Sequence, residues 1–202
     1  DENGTILSKS FTKWEFATTT SLNGGAYFAY PTLSVSEELD AFGGKRVRAV
    51  SSEYDLSSGN KIKEIDFGEV TAVSEPFNFS DTKEDKMDSE MFYAVSASNL
   101  STSSFPYKVV SKDFYNKIIV ETKITYDNLV LGSVSKGLPT KTEKLIAPTK
   151  YQTNEASYNL FGNPVSKKDP NGNTSSFIYD SYNLKPIQET NPKGHIRQFS
   201  YD

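Results

Sequence analysis

The sequence predicts an all-β fold, an antiparallel meander of β-hairpin repeats, and three observations carry that reading. Near the C-terminus the chain says almost the same thing twice. Tyr158-Asn159-Leu160-Phe161-Gly162, Asp169-Pro170-Asn171-Gly172 and Phe177-Ile178-Tyr179-Asp180 form one copy. Tyr179-Asp180-Ser181-Tyr182-Asn183, Asn191-Pro192-Lys193-Gly194 and Phe199-Ser200-Tyr201-Asp202 form the next, the Pro-x-Gly turns and the terminal Tyr-Asp pairs recurring 22 residues on. A fixed period of this size marks a repeat architecture. Period-two alternation of apolar and polar residues runs along much of the remaining chain, as in half-buried strands. Aromatic residues make up 13% of the 202 residues, with 12 Tyr and 13 Phe, and such residues favour a pleated surface.

The elements follow in order. Over 1–150 the chain reads as a strand-rich region. Thr12, Trp14 and Phe16 alternate with polar partners, and Lys63, Ile65 and Phe67 alternate against Ile62, Glu64 and Asp66. The longest run sets Ile118, Val120, Thr122, Ile124 and Tyr126 against Ile119, Glu121, Lys123 and Thr125, which predicts a strand with one wetter face. Turn signals fall at Asn23-Gly24-Gly25, Gly43-Gly44, Ser58-Gly59-Asn60 and Gly137-Leu138-Pro139. An acidic insertion near 81–90 breaks the pattern. Asp81-Thr82-Lys83-Glu84 has the form of a helix cap, and Met87, Met91 and Val95 follow at four-residue spacing. That predicts one short helix near 82–95; the rival reading is a strand from Met91 to Val95 entered through an acidic loop.

The segment 151–202 holds two regular repeats, expected to continue the same sheet. Two strands of about 5–6 residues and two tight turns fill a unit of this length. Asp169-Pro170-Asn171-Gly172 and Asn191-Pro192-Lys193-Gly194 place an Asx side chain first, a proline with preset φ second and a glycine where φ turns positive. Gly162 and Asn183 hold the equivalent place in the other turn, and Gly and Asn best tolerate a left-handed backbone. Ser175, Phe177 and Tyr179 should share one strand face, repeated by Arg197, Phe199 and Tyr201.

These residues resemble the YD repeats of the Rhs/YD-repeat family, in which Tyr-Asp-x-x-Gly precedes a polar strand, Asp-Pro-x-Gly and a strand ending in Tyr-x-Tyr-Asp. The repeat-defining positions are Tyr158, Gly162, Asp169, Gly172, Phe177, Tyr179, Asp180, Asn183, Asn191, Gly194, Phe199, Tyr201 and Asp202. Asn159, Asn183 and Asn191 depart from the pattern's Asp, Gly and Asp. Gly25-Ala26-Tyr27-Phe28-Ala29-Tyr30, Glu37-Glu38 and Gly43-Gly44-Lys45-Arg46-Val47 look like the stretch before the repeats in toxin-complex B-type proteins. Tyr54-Asp55 with Gly59-Asn60 resembles a degenerate unit. Tyr126-Asp127 with Gly137-Leu138-Pro139-Thr140-Lys141 resembles the family's passage into regular repeats. The likeness is strong over 151–202 and looser over 1–70 and 117–145, while 71–116 does not align.

The resemblance implies a non-catalytic segment of a secreted or cell-envelope shell that encloses or presents a toxin polypeptide. Its partners would be the rest of that shell, the enclosed toxin domain, and a toxin-complex or cell-surface partner. The alternative is a cell-surface module whose Tyr-rich β surface recognises carbohydrate or protein. A cut array would also expose a strand edge at Tyr201-Asp202 that recruits other chains. The family's self-cleaving aspartyl site lies after the repeats, whereas Asp169, Asp180 and Asp202 lie within them, so the chain is expected to stop upstream of it.

Composition and chemistry set the remaining bounds. A net charge of −4 gives no basic footprint for nucleic acid, and no apolar run reaches the roughly 20 residues of a membrane-spanning helix. There is no Cys and a single His, His195, so nucleophile–base pairs have little to build on. His195 reads as a turn residue with a general base as the rival. Glu37-Glu38, and Asp85 with Asp88, are the candidate carboxylate pairs. Asp169, Asn171, Asn173, Ser175 and Asp180 fall at positions 1, 3, 5, 7 and 12 of an EF-hand-like loop. That loop lacks Gly at position 6, has Pro at 2 and ends in Asp, and the second repeat offers Lys193 and His195 instead. The turn chemistry accounts for these residues without a metal, so no enzyme activity and no cofactor is expected.

Overall fold

The computed structural model describes residues 8–19, 26–39, 44–72, 77–81, 83–96 and 104–201. All of its regular structure is strand, and the chain is an antiparallel meander of thirteen strands with two small side pairings. The first strands are β1 (Ser8–Thr19), β2 (Ala26–Leu39), β3 (Lys45–Tyr54), β4 (Lys61–Glu69), the short β5 (Thr71–Ala72) and β6 (Phe79–Ser80), and β7 (Met87–Tyr93). Then come β8 (Val95–Ser96), β9 (Pro106–Lys112), β10 (Ile118–Tyr126), β11 (Ser133–Val134), β12 (Pro139–Ala147) and β13 (Lys150–Tyr158). The last are β14 (Pro164–Lys168), β15 (Thr174–Tyr179), β16 (Pro186–Thr190) and β17 (Ile196–Gln198). The main sheet runs in chain order, leaving out β5 and β6, which pair with each other, and β8 and β11, which pair in parallel. Residues up to Phe92 with Val109–Ile119 form one compact unit, and Tyr93–Lys108 with Val120 onward form a second.

In the first unit the period-two pattern places Val47 and Ala49 inward and Arg46 and Arg48 outward along β3. With Val35 and Val70 they make a small core, onto which Leu33, Phe67 and Phe79 pack. Phe67 and Phe79 meet edge to face with centroids 5.1 Å apart, the preferred geometry for two ring quadrupoles.

The segment expected to be helical is a strand, and the prediction over 82–95 is corrected. Met87 to Glu90 pair with Asp66 to Lys63 of β4 in antiparallel register. Asp88 reaches Lys63 at 3.2 Å, and Glu90 reaches Lys112 at 3.0 Å. The alternating Asp88-Ser89-Glu90 places cross-strand ion pairs where a helix would leave β4 without its neighbour, so tertiary pairing outweighs the local four-residue spacing. Asp81 caps a turn, accepting from the Lys83 N–H at 3.3 Å. Thr82 of the cap pattern lies outside the described residues, as do Asn23-Gly24-Gly25, Gly43 and Asp202.

In the second unit Ala94, Tyr126 and Val134 are buried, with Tyr107 and Ile124 packed on them. Phe105 lies edge-on to Tyr126 at 5.5 Å, with its ring close against Gly137. A Cβ at Gly137 would sit 2.5 Å from that ring, so glycine is required there for close approach as well as for its φ of 82°. The expectation for β10 holds only toward its end. Ile124 and Tyr126 pack in the core, but Val120 is 45% exposed and Glu121, on the face expected to be wetter, is buried.

Strands β13 to β17 form the repeat array. Phe177 pairs with Glu189 and Glu189 with Arg197, so like faces of successive repeats are separated by one strand. Along β15 the residues Ser175, Phe177 and Tyr179 are half-buried, and Thr174, Ser176 and Ile178 are exposed. The turns close as five-residue Asx loops. Asp169, Asn159 and Asn191 each give their backbone N–H to a carbonyl four residues on, and their side chains accept the N–H groups two and four residues on at 2.9–3.0 Å. The fourth residue is left-handed each time: Gly162 at 84°, Gly172 at 86°, Gly194 at 80°, and Asn183 at 57° in the longer Asp180 loop. Gly162→Ala should therefore lower stability by about 1–2 kcal/mol, and Gly162→Asn by less, since Asn serves at the equivalent place. Urea unfolding of the two variants checks this ordering.

Candidate functional site

What the sequence makes recurrent, the structure turns into a repeated junction. In the second unit the upward strands β10, β13 and β15 end in a tyrosine, and Tyr201 follows β17. The downward strands β9, β12, β14 and β16 begin with a proline, and each strand-end tyrosine is linked to two of these prolines. Tyr126, Tyr158 and Tyr179 pair through the backbone with Pro139, Pro164 and Pro186 of the next strand, each at a β-bulge. Their hydroxyls reach the other way. Tyr126 donates to the Pro106 carbonyl at 2.9 Å, Tyr158 to Pro139 at 3.0 Å, Tyr179 to Pro164 at 3.1 Å and Tyr201 to Pro186 at 2.8 Å. Proline is tolerated at a strand's first residue because no ladder N–H is needed there. These prolines were not singled out from the sequence; the signal was a Pro recurring after each Tyr-Asx pair, 6 residues on from Tyr158 and 7 from Tyr179.

Beyond each tyrosine the Asx residue closes the connection. Asn159 and Asn183 of adjacent turns also bond one another at 2.9 Å, and Asn163 donates to the Asn183 carbonyl at 2.6 Å. Asp127 holds the longest connection. Its carboxylate accepts the N–H groups of Ser135, Lys136, Gly137 and Leu138 at 2.8–3.0 Å. Burial alone would raise its pKa, but these four donors outweigh that and hold it below its ordinary 3.8. Another loop of this kind, Asp113-Phe114-Tyr115-Asn116-Lys117, escaped the sequence reading because it has neither Pro nor Gly. Its Asp113 accepts from Tyr115 and Lys117 at 3.0 and 2.9 Å, and Asn116 takes the left-handed place at φ 62°.

The candidate catalytic groups are dispersed. His195 sits exposed in the Asn191 loop, its N–H on the Asn191 side chain at 3.0 Å. Glu37 and Glu38, adjacent on β2, point to opposite faces, and Glu37 pairs with Lys45 at 2.6 Å. Asp85 accepts the Glu69 N–H at 3.0 Å, and Asp88 pairs with Lys63 at 3.2 Å. In the EF-hand-like stretch, one Asp169 oxygen accepts the Asn171 and Asn173 N–H groups and the other the Asn173 amide at 2.8 Å. Those donors, the Asn173 side chain foremost, lower the Asp169 pKa. Among the described residues no three His, Asp or Glu side chains are grouped so as to hold a metal ion.

One ionic cluster is a structural find. Glu121, 8% exposed, faces Lys108 at 3.3 Å and Lys123 at 3.6 Å and accepts from the Tyr151 hydroxyl. Lys123 donates to that hydroxyl at 2.9 Å and lies 4.2 Å from the ring centroid. Burial pushes Glu121 up, but Tyr151 and Lys108 together pull it below its ordinary value. Its two-residue spacing to Lys123 on one strand face was the visible hint. The depressions of this unit are shallow. One runs between the Asp127 connection and the Asn159 turn, past Leu129, Leu138, Tyr158 and Leu160, and another crosses the sheet past Thr140, Ser157, Ser166 and Thr174.

No protein-family model and no curated protein matches the chain. Solved structures do. The chain is similar to the crystal structures of TcdB2-TccC3 (TM-score 0.56, 10% identity), TcdB2-TccC3-Cdc42 (0.55, 9%) and TcdB2-TccC3-TEV (0.54, 11%). Each likeness covers 97% of this chain and 15% of the other. At this identity the likeness establishes a shared fold.

The Asp127 arrangement has a pH consequence. Its folded pKa is depressed, so its contribution is complete above the unfolded value near 3.8 and is lost as pH falls through the folded value. Asp127→Ala should cost about 1–3 kcal/mol at pH 7. The gap from wild type should narrow below about pH 4, read from urea midpoints across the acid range.

Proposed function

We propose that this chain is a stretch of wall in a YD-repeat shell of the Rhs type, a non-catalytic scaffold that encloses or presents a toxin polypeptide outside the producing cell or at its envelope. The observation that carries the reading is the tyrosine–proline junction. It recurs on four successive upward strands of the second unit and commits the recurrent tyrosines to sheet geometry rather than to a ligand. The fold shared with the TcdB2-TccC3 chains supports it. So does the chemistry of one sheet face. There Lys141 pairs with Glu143 and Lys168 with Glu155, both at 3.0 Å, and the Ser157 and Ser166 hydroxyls lie 2.6 Å apart. Across β12 to β14 this face gives an enclosed, partly folded chain little apolar surface to stick to, while further along the same face Ile178 and Ile196 are exposed. The opposite face carries Phe177 beside Lys167 and Phe199 beside Arg197.

These 202 residues contain no cysteine, so a thiol introduced among them reports one position once any cysteine elsewhere in the gene product is replaced by serine. Ser176→Cys reports from the polar face and Ser175→Cys from the aromatic one, each in the native gene product. A wall predicts that a membrane-impermeant maleimide labels one position at least about tenfold faster than the other. The protected thiol should cross-link to a segment outside this chain. Equal labelling at both positions with no cross-link would defeat the wall reading. Reproducible saccharide binding by the chain, lost on replacing an exposed aromatic residue, would favour the recognition module.

A further inference from the structure

The three connections at one end of the second unit carry a row of protruding apolar side chains. They follow Tyr126, Tyr158 and Tyr179, which end strands running the same way, so they lie at the same end of the sheet. Val130 is 77% exposed, Leu131 44%, Leu160 89%, Phe161 71%, Tyr182 78% and Leu184 77%. At the opposite end of this unit the tips are Pro148-Thr149, Pro170-Asn171 and Pro192-Lys193. Val120, Ile146 and Ile196 are also exposed toward that end but belong to strands. The apolar side chains that project from turns are those of the three connections, and such a cluster marks an interaction surface.

We propose that this row of tips docks on a lipid bilayer, entering the interfacial region of an anionic membrane. Three features favour a bilayer over a protein partner. The side chains project from turns, with Leu160, Tyr182 and Val130 each more than three-quarters exposed beside only a shallow depression. That suits a fluid surface that closes around them, whereas a folded partner would need a matching set of pockets. The tips also enter with their backbone largely satisfied. The N–H groups of Phe161 and Asn163 are taken by the Asn159 side chain and that of Gly162 by the Asn159 carbonyl. The N–H of Asn183 goes to the Asp180 carbonyl, and that of Leu184 to its carboxylate at 2.8 Å. Unsatisfied backbone groups are the main penalty for entering lipid, and here that penalty is reduced beforehand. Charge is the third feature. The charged residues along the three connections are Asp127, Lys136, Asp180 and Lys185. Both carboxylates are turned onto backbone N–H groups of their own connections, while Lys136 and Lys185 are exposed. Leucine, phenylalanine and tyrosine beside lysine are the composition of interfacial anchors. The cross-bonds between Asn159 and Asn183 and between Asn163 and Asn183 hold two of the tips at a fixed spacing.

The test is flotation of the 202-residue chain with vesicles of phosphatidylcholine and phosphatidylglycerol at 3:1. Wild type should float with the vesicles. Leu160→Ser/Phe161→Ser and Tyr182→Ser/Leu184→Ser should each weaken binding about tenfold. Lys136→Glu/Lys185→Glu should lose the preference for anionic over neutral vesicles. Phe114→Ser/Tyr115→Ser, which removes exposed aromatic residues from a turn in the other unit, should leave binding unchanged. These variants keep Asn159, Gly162, Asp180 and Asn183, and circular dichroism should match wild type. Phe161→Trp in a Trp14→Phe background, where it is the only tryptophan, should shift its emission to the blue on adding vesicles. Failure of wild type to float, or equal flotation of all variants, would overturn the proposal. So would concentration-dependent self-association abolished by Leu160→Ser/Phe161→Ser with lipid binding absent, which would assign the tips to a protein contact.

Discussion

A sheet with both faces largely open lacks the usual device for fixing strand register. Where one face is buried, a slip of one residue turns every apolar side chain to water and is punished heavily. In the second unit that penalty is small, because the strands after β12 contain only half-buried and exposed residues, with no enclosed core. The tyrosine at each upward strand end takes over the task. Its backbone pairs forward with one proline, and its hydroxyl bonds backward to another. One residue thus spans three strands and marks the register in both directions. The bulge at the same place bends the strand and increases its twist. It falls where the following proline has no N–H to offer, so the disruption leaves no ladder donor without a partner. Tyr126 does this with its ring buried, and Tyr201, 45% exposed, keeps the backward bond to Pro186. The same geometry is therefore maintained from the small core out to the open array.

The Asx residues next to these tyrosines solve the complementary problem of reversing the chain cheaply. A turn strands several backbone N–H groups, and a side-chain oxygen placed first accepts two of them at once. Aspartate does this as a charged acceptor. That is why Asp55, Asp127 and Asp169 all have lowered pKa values, Asp55 through the hydroxyl of Ser58 first. Asparagine does it at Asn159 and Asn191 without charge, and Asn159 gains a free amide with which to bond Asn183. The replacement of Asp by Asn in the repeat is therefore geometrically neutral within a turn and creates a new link between turns. By contrast, exposed pairs such as Lys13 with Glu15 contribute little beyond solubility.

Much of this was legible beforehand, and the exceptions have definite causes. The all-β meander and the left-handed places at Gly162, Gly172, Asn183 and Gly194 followed from period and turn chemistry, because Gly and Asn advertise positive φ directly. The Asp113 loop was missed although Asp113 and Asn116 hold the Asx and left-handed places, because it has neither Pro nor Gly and its tips are Phe114 and Tyr115. Met87, Met91 and Val95 have helical spacing, yet β4 requires a neighbour and Asp88 and Glu90 supply matching charges. A local pattern of three residues cannot report that demand. Glu121 was placed on the wetter face because a carboxylate reads as exposed, and only the arrival of Lys108 and Tyr151 from other strands makes its burial tolerable. The tyrosine–proline bonds join residues up to 20 apart, a separation at which pairing is a property of the fold.

The repeat also divides its residues between two tasks. Positions that set geometry are held nearly constant: tyrosine at the strand end, Asx after it, glycine or asparagine in the left-handed place, proline at the next strand start. Positions at the tips differ freely between copies, with Leu160-Phe161 against Ser181-Tyr182 in one turn and Asn171 against Lys193 in the other. Stability in such an array comes mainly from neighbouring strands, so an outward-facing side chain is exchanged at small cost to the fold. A sheet built this way can change what it presents at either end, or on either face, while the tyrosine–proline junctions keep the strands in register. Whatever specificity the protein has must therefore reside in the residues that the repeat leaves unconstrained.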